Sequence, residues 1–272
     1  MSTPSLSDRH ALTRNRARSR DDALFLVDAA MDEVQARLSL VNRTFTAPAI
    51  VGPHGERWAR GLGLDATLVP DDEVLDLAPG GHDLVIHAMA MHWAADPVGQ
   101  IIQCRRALKP DGLFLACLFG GQTLNELRIA LAEGEARVTG GLSPRVAPMA
   151  EIRDLGALLQ RSGLALPVAD SDRLTVTYAT PLHLMRELRH MGEGNALAHR
   201  LRHPTRRAVF DAAAEVYTTQ YALPDGRVPA TFEIIHLSGW APDDSQPQPL
   251  RPGSATHRLA AALGTTESPV KD

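Results

Sequence analysis

Aromatic residues make up only 4% of this 272-residue chain, and lysine is nearly absent: of 28 basic residues, only Lys109 and Lys271 are lysines. The arginine skew speaks to coding bias and not to mechanism. Cysteine occurs twice, at Cys104 and Cys117. Two thiols in a chain this long make no disulfide framework, which points to a reducing, cytoplasmic setting. No apolar run approaches the ~20 residues of a membrane span. The opening MSTPSLSDRHALTRNRARSR lacks an apolar signal core, so secretion is not expected. A formal net charge of -4 and a pI near 6.3 leave no whole-protein attraction to nucleic acid or anionic lipid. No G-x-S-x-G elbow of a hydrolase is present. His82, His87 and His92 recur at even intervals, but one strand and its following loop cannot bring them together, and no cysteine pair supports a metal.

What is present is an ordinary globular composition, 44% hydrophobic and 22% charged, enough for one large domain with a substantial core. Over residues 8–40, Leu24, Phe25, Val27, Ala30, Met31, Val34 and Leu38 recur at helical spacing and predict one helix. The arginines at its start read as a solvated face, with a clamp over an acidic partner or a cofactor as the alternative. Ala49-Ile50-Val51, Gly52-Pro53-His54-Gly55 and then Glu56 to Leu62 read as strand, glycine turn and helix. In a doubly wound sheet such a turn aims backbone N–H groups at a ligand. Residues 66–70 form a short strand closed by Asp71-Asp72-Glu73.

The run HDLVIHAMAMHWAADP, residues 82–97, begins as a buried strand and ends in polarizable and titratable side chains: His87, Met89, Met91, His92 and Trp93. Asp96-Pro97 suits a helix start. Lys109-Pro110-Asp111-Gly112 is a turn sequence, and Leu113 to Phe119 is an apolar strand in which Cys117 reads as inert core. The unit over 83–119 therefore predicts two parallel strands joined by a right-handed helical crossover and covered on both faces. Helices are expected over 122–137, 150–162, 181–191 and 204–221, strands over 174–178 and 231–237, and a disordered Pro- and Ser-rich tail from 241.

The strand HDLVIHAMAMHW, followed by a helix and LKPDGLFL, resembles the fourth strand, helix and fifth strand of the class I S-adenosylmethionine-dependent methyltransferase family. FGGQTLNELR, GGLSPRVAPMAEIRDLGALLQRSG, MGEGNAL and DGRVPATFEIIHLSGW are similar to one subgroup of it. That subgroup holds biotin-synthesis methyltransferase-like proteins and the methyltransferase-fold assembly factor of respiratory complex I. The resemblance covers residues 82–240. It implies an α/β, Rossmann-like sandwich with a mostly parallel sheet and helices on both faces. The domain layout is then a helical arm over 1–45, a methyltransferase-like domain over 46–240 with a helical insert at about 181–221, and a tail over 241–272.

The resemblance also implies a site. Val51, Gly52, Gly55, Asp71, Asp72, His87, Ala88, Met89 and Trp93 would line an S-adenosyl-L-methionine pocket. His87 and His92 are catalytic candidates as general bases, and Arg145 and Tyr178 are substrate-contact candidates. Met89, Met91 and Trp93 serve equally as core, and Arg145 equally as a structural clamp. Two departures stand out. The first turn carries no preceding acid and has Pro53, which offers no N–H. The second strand-helix unit, with its ribose-binding acid, is shortened or missing. Loss of a two-point carboxylate–ribose contact weakens binding by roughly two orders of magnitude. Two functions follow from the resemblance. One is a methyltransferase with a degenerate cofactor loop acting on a small-molecule or protein substrate. The other is a complex I assembly factor, either arginine-hydroxylase-like or a non-catalytic binder.

Overall fold

The computed structural model describes residues 6–247, 260 and 263–265. It divides into two compact units, Met1–Pro242 and Asp243–Asp272. In the second, Ser245 donates to the Asp243 carboxylate from both its backbone N (2.9 Å) and its hydroxyl (2.6 Å). Most of the tail expected to be disordered lies outside the described residues.

Apolar periodicity and turn chemistry produce the elements of the first unit in order. Helix α1 (Arg9–Arg16) is capped by Asp8, whose carboxylate accepts from Ala11 N at 3.1 Å. A 3₁₀ turn at Asp21–Ala23 leads into α2 (Phe25–Leu40). Strand β1 (Pro48–Val51) feeds α3 (Gly55–Leu62), and β2 (Thr67–Val69) follows. Strand β3 (His82–Ala88), α4 (Pro97–Ala107) and β4 (Leu108–Phe119) form the expected crossover unit, α4 opening with Asp96 as its cap and Pro97 at its first turn. The rest is α5 (Asn125–Thr139), α6 (Ile152–Arg161), β5 (Ala165–Tyr178), α7 (Pro181–His190), α8 (Arg207–Tyr221) and β6 (Val228–Trp240).

The sheet has six strands in the order β2-β1-β3-β4-β6-β5. Strands β2, β1, β3 and β4 pair in parallel, and β6 runs antiparallel to both β4 and β5. Side chains alternate between two cores. Ile50, Leu84, Ile86 and Leu115 face Leu26, Trp58, Leu127 and Val216 of α2, α3, α5 and α8. Val51, Val85, Phe114 and Ala116 face Ile101, Cys104 and Leu159 of α4 and α6. This is the Rossmann-like arrangement the sequence implies, and β2 pairs directly with β1, with no strand between them.

Three local expectations are corrected. The single helix over 8–40 is two, because the chain breaks after Arg16 so that α1 can reach the Asp71 loop while α2 lies on the sheet. The arginine run is not simply solvated: Arg9 and Arg16 clamp an acid of the chain itself. The turn sequence at Lys109–Gly112 is a kink within β4 and not its boundary, with Asp111 at φ +57°.

Candidate functional site

The carboxyl ends of β1 and β3 meet at Gly52 and Ala88. Gly52 has φ +133°, and a Cβ there would lie 2.5 Å from the Ala88 carbonyl oxygen. Only glycine permits this approach. His54 and Met89 also take positive φ, at 58° and 47°, so the chain on both sides of the strand ends is held in sparsely populated conformations. Gly55 opens α3 against Leu68.

Two cavities flank these strand ends. The first, of about 20 Å³, is lined by Pro53, His54, Met89, Arg16 and Glu193, among others; that is room for about one water. The second is an open cleft of about 350 Å³ between Phe119, Phe232, Leu127 and Leu131 on one side and Met185, Leu188 and Val146 on the other. His92, Trp93, Arg145 and Glu193 also line it. Glu193 is common to both cavities. Its Oε2 accepts from Trp93 Nε1 at 2.7 Å and from His92 Nε2 at 3.2 Å. Burial alone would raise the Glu193 pKa, but His92 and Arg16 outweigh it, so the carboxyl is held below its ordinary value. His92 packs edge-on against Phe119, ring centroids 5.1 Å apart. The pKa of His54 is lowered by burial and then by Arg16.

Asp71 is held as tightly. Its carboxylate accepts from Arg16 at 2.7 Å and from Arg9 at 3.1 Å, and its side chain is 6% exposed. Burial would push its pKa up, but the two guanidiniums prevail and hold it low. Asp72 is exposed and takes the other arm of Arg9 at 3.1 Å. His87 turns toward α4. Its Nε2 donates to Gln100 Oε1 at 2.8 Å, and Gln100 Nε2 donates on to the Asp72 carbonyl at 3.0 Å. Full burial lowers the His87 pKa to about 4.

The structure thus brings Gly52, Ala88, Met89, His92 and Trp93 together around the strand ends. His87 lines neither of the two flanking cavities. Its role is to hold the Asp71-Asp72 loop through Gln100. Arg145 borders the cleft with its guanidinium committed to Glu135 at 2.6 and 2.9 Å and to Thr205 at 3.1 Å. Tyr178 stands apart, in a separate groove with Phe25, Val176 and Glu187. Glu193 is the residue that sequence reasoning missed, and the Arg9 and Arg16 clamp on Asp71 is the alternative that it set second to a solvated face. The one available signal was a lone carboxylate between Gly192 and Gly194.

S-adenosylmethionine does not fit these residues in this conformation. The hollow beside the glycine turn is about 20 Å³, whereas sites for ligands of that size run from about 300 Å³ upward. Asp71, expected to line that pocket, is already paired with two arginines.

No family model matches the chain. Arginine-hydroxylase NDUFAF5, mitochondrial, of Dictyostelium discoideum is 40% identical over 197 residues, 72% of this chain and 45% of that protein. The Homo sapiens protein of the same name is 39% identical over 192 residues, covering 70% and 55%. Malonyl-[acyl-carrier protein] O-methyltransferase of Halorhodospira halophila is 35% identical over 180 residues, covering 65% and 55%. The chain spans about half the length of these curated relatives. Over that span it is similar to the arginine-hydroxylase NDUFAF5 proteins and to the malonyl-[acyl-carrier protein] O-methyltransferases.

Proposed function

We propose that this chain is a methyltransferase-fold binding protein of the assembly-factor type, acting through the cleft between Phe119 and Met185 on a segment of a protein partner. The observation that carries this is the pairing of a closed cofactor position with an open cleft of about 350 Å³. The cleft has an apolar body, and its polar edge carries the Glu193 carboxylate, held by His92 and Trp93, together with Arg18, Arg145 and Arg189. That chemistry suits an amphipathic segment that lays apolar side chains on the cleft body and polar groups along its charged edge. The partner implied by the sequence resemblance is a respiratory complex I subunit. Buried, free cysteines at 104 and 117 fit a reducing compartment, which we take to be the cytoplasm. Among the described residues no helix is long and apolar enough to cross a membrane.

A second reading, S-adenosylmethionine-dependent methyl transfer, is favoured by the retained approach of Gly52 to Ala88 and by Met89 at the strand end. It requires rearrangement around Arg16. The test is genetic. Deleting the gene should lower complex I activity, and wild type should restore it while Met185→Glu, on the cleft wall, should not. Normal respiration in the deletion strain contradicts the assembly role.

A further inference from the structure

Helix α1 ties together the two sides of the closed position. On one side Arg16 and Arg9 hold Asp71. On the other, Asn15 Nδ2 donates to Gly194 O at 2.9 Å, and Asp8 pairs with Arg200 at 3.0 Å and Arg202 at 2.6 Å. Backbone N of Asp8 also donates to Ala196 O at 2.7 Å. Arg16 is 12% exposed, lines the small cavity with Met89 and Glu193, and leaves its Nε and one terminal nitrogen buried without a hydrogen-bond partner. Unpaired guanidinium nitrogens in the interior are unfavourable, so packing alone does not explain why this side chain sits there. What it supplies is N–H donors to Asp71. Ribose hydroxyls and an exocyclic amine would offer a carboxylate the same chemistry.

We propose that α1 is a removable internal occupant of the cofactor position, with Arg16 and Arg9 standing in for the donors of a nucleoside-class ligand. Docked, it closes the site. Released, it exposes Asp71, Met89 and the Gly52 turn. Among its eight residues Ala11 and Leu12 are buried, in a small apolar cluster with Trp93, Ala196 and Leu197 apart from the two main cores, and ion pairs and hydrogen bonds make the rest of its attachment. Such a segment belongs to the low-stability end of a fold. If it is docked about 99% of the time, apparent ligand affinity falls about a hundredfold. The proposal goes beyond the cleft-binding role and does not depend on it.

The test uses the full chain, with S-adenosylhomocysteine as the probe. Calorimetry compares wild type with the Arg9→Ala/Arg16→Ala double variant, and hydrogen exchange follows residues 9–16. The expected result is faster exchange over the helix and affinity at least about tenfold above wild type. Leu12→Lys, which removes the apolar anchor and leaves the Asp71 side intact, should act in the same direction and serves if the double variant does not fold. Three results would overturn the proposal: a released helix with no gain in affinity, wild-type binding with residues 9–16 still protected, or a helix that neither variant releases. None of these bears on complex I activity in the deletion strain, so the two ideas fail separately.

Discussion

Arg16 and Asp71 are 55 residues apart in sequence and meet at 2.7 Å inside the protein. The resemblance places Asp71 in the cofactor pocket, and the structure satisfies its carboxylate from within. Breaking a buried pair leaves a charge uncompensated, so Asp71→Ala should destabilise by on the order of 3 kcal/mol, since it strands Arg16. Urea unfolding measures this. A loss of a few tenths of a kcal/mol would mean that the pair is merely superficial.

Gly52 should tolerate no side chain. In Gly52→Ala the new Cβ would fall 2.5 Å from the Ala88 oxygen at φ +133°, and a loss of about 2–4 kcal/mol is expected. A thermal midpoint equal to wild type would show that the two strand ends do not approach as described.

Arg145 separates two roles that the sequence leaves open. Its bidentate contact with the buried Glu135 predicts that Arg145→Ala costs about 3 kcal/mol of stability. The Glu135 carboxyl is held low chiefly by that hydrogen bond. A residue that only touches substrate would leave stability unchanged.

His87 sets a pH dependence. Its folded pKa, about 4, lies below the unfolded 6.5. The unfolded chain therefore binds the proton first as pH falls. The stability from a neutral His87 is fully present above 6.5 and is lost on the way down to 4, by at most about 3 kcal/mol. His87→Gln should flatten the curve in that window, and an unchanged slope would contradict the assignment.

Glu193 fixes the indole of Trp93. Glu193→Leu leaves Trp93 Nε1 and His92 Nε2 without their acceptor, so stability should fall by about 1–3 kcal/mol. Glu193→Gln retains an acceptor and should lose less. Equal losses in both variants would show that the hydrogen bonds contribute nothing.

The crossover from β3 to β4 was legible in the sequence because strands covered on both faces read as continuous apolar runs. Strand β5 was legible only over its last residues. As the sheet edge it pairs on one side only, and its polar stretch Ala169-Asp170-Ser171-Asp172-Arg173 hides the pattern. The glycine turn was placed correctly, but nothing local showed that its hollow is filled. A charge run looks the same whether water or a distant carboxylate receives it, and Asp71 lies far from Arg16 along the chain. Glu193 escaped for a similar reason: its partners, His92 and Trp93, lie about a hundred residues earlier. Long-range pairing of polar groups creates the site, and local periodicity does not encode it.

Calorimetric titration of the wild-type chain with S-adenosylhomocysteine bears most directly on whether the fold's cofactor position is closed by its own helix. No heat of binding at millimolar ligand is the expected result. One-to-one binding at micromolar concentration, with α1 still docked on Asp71, would contradict it.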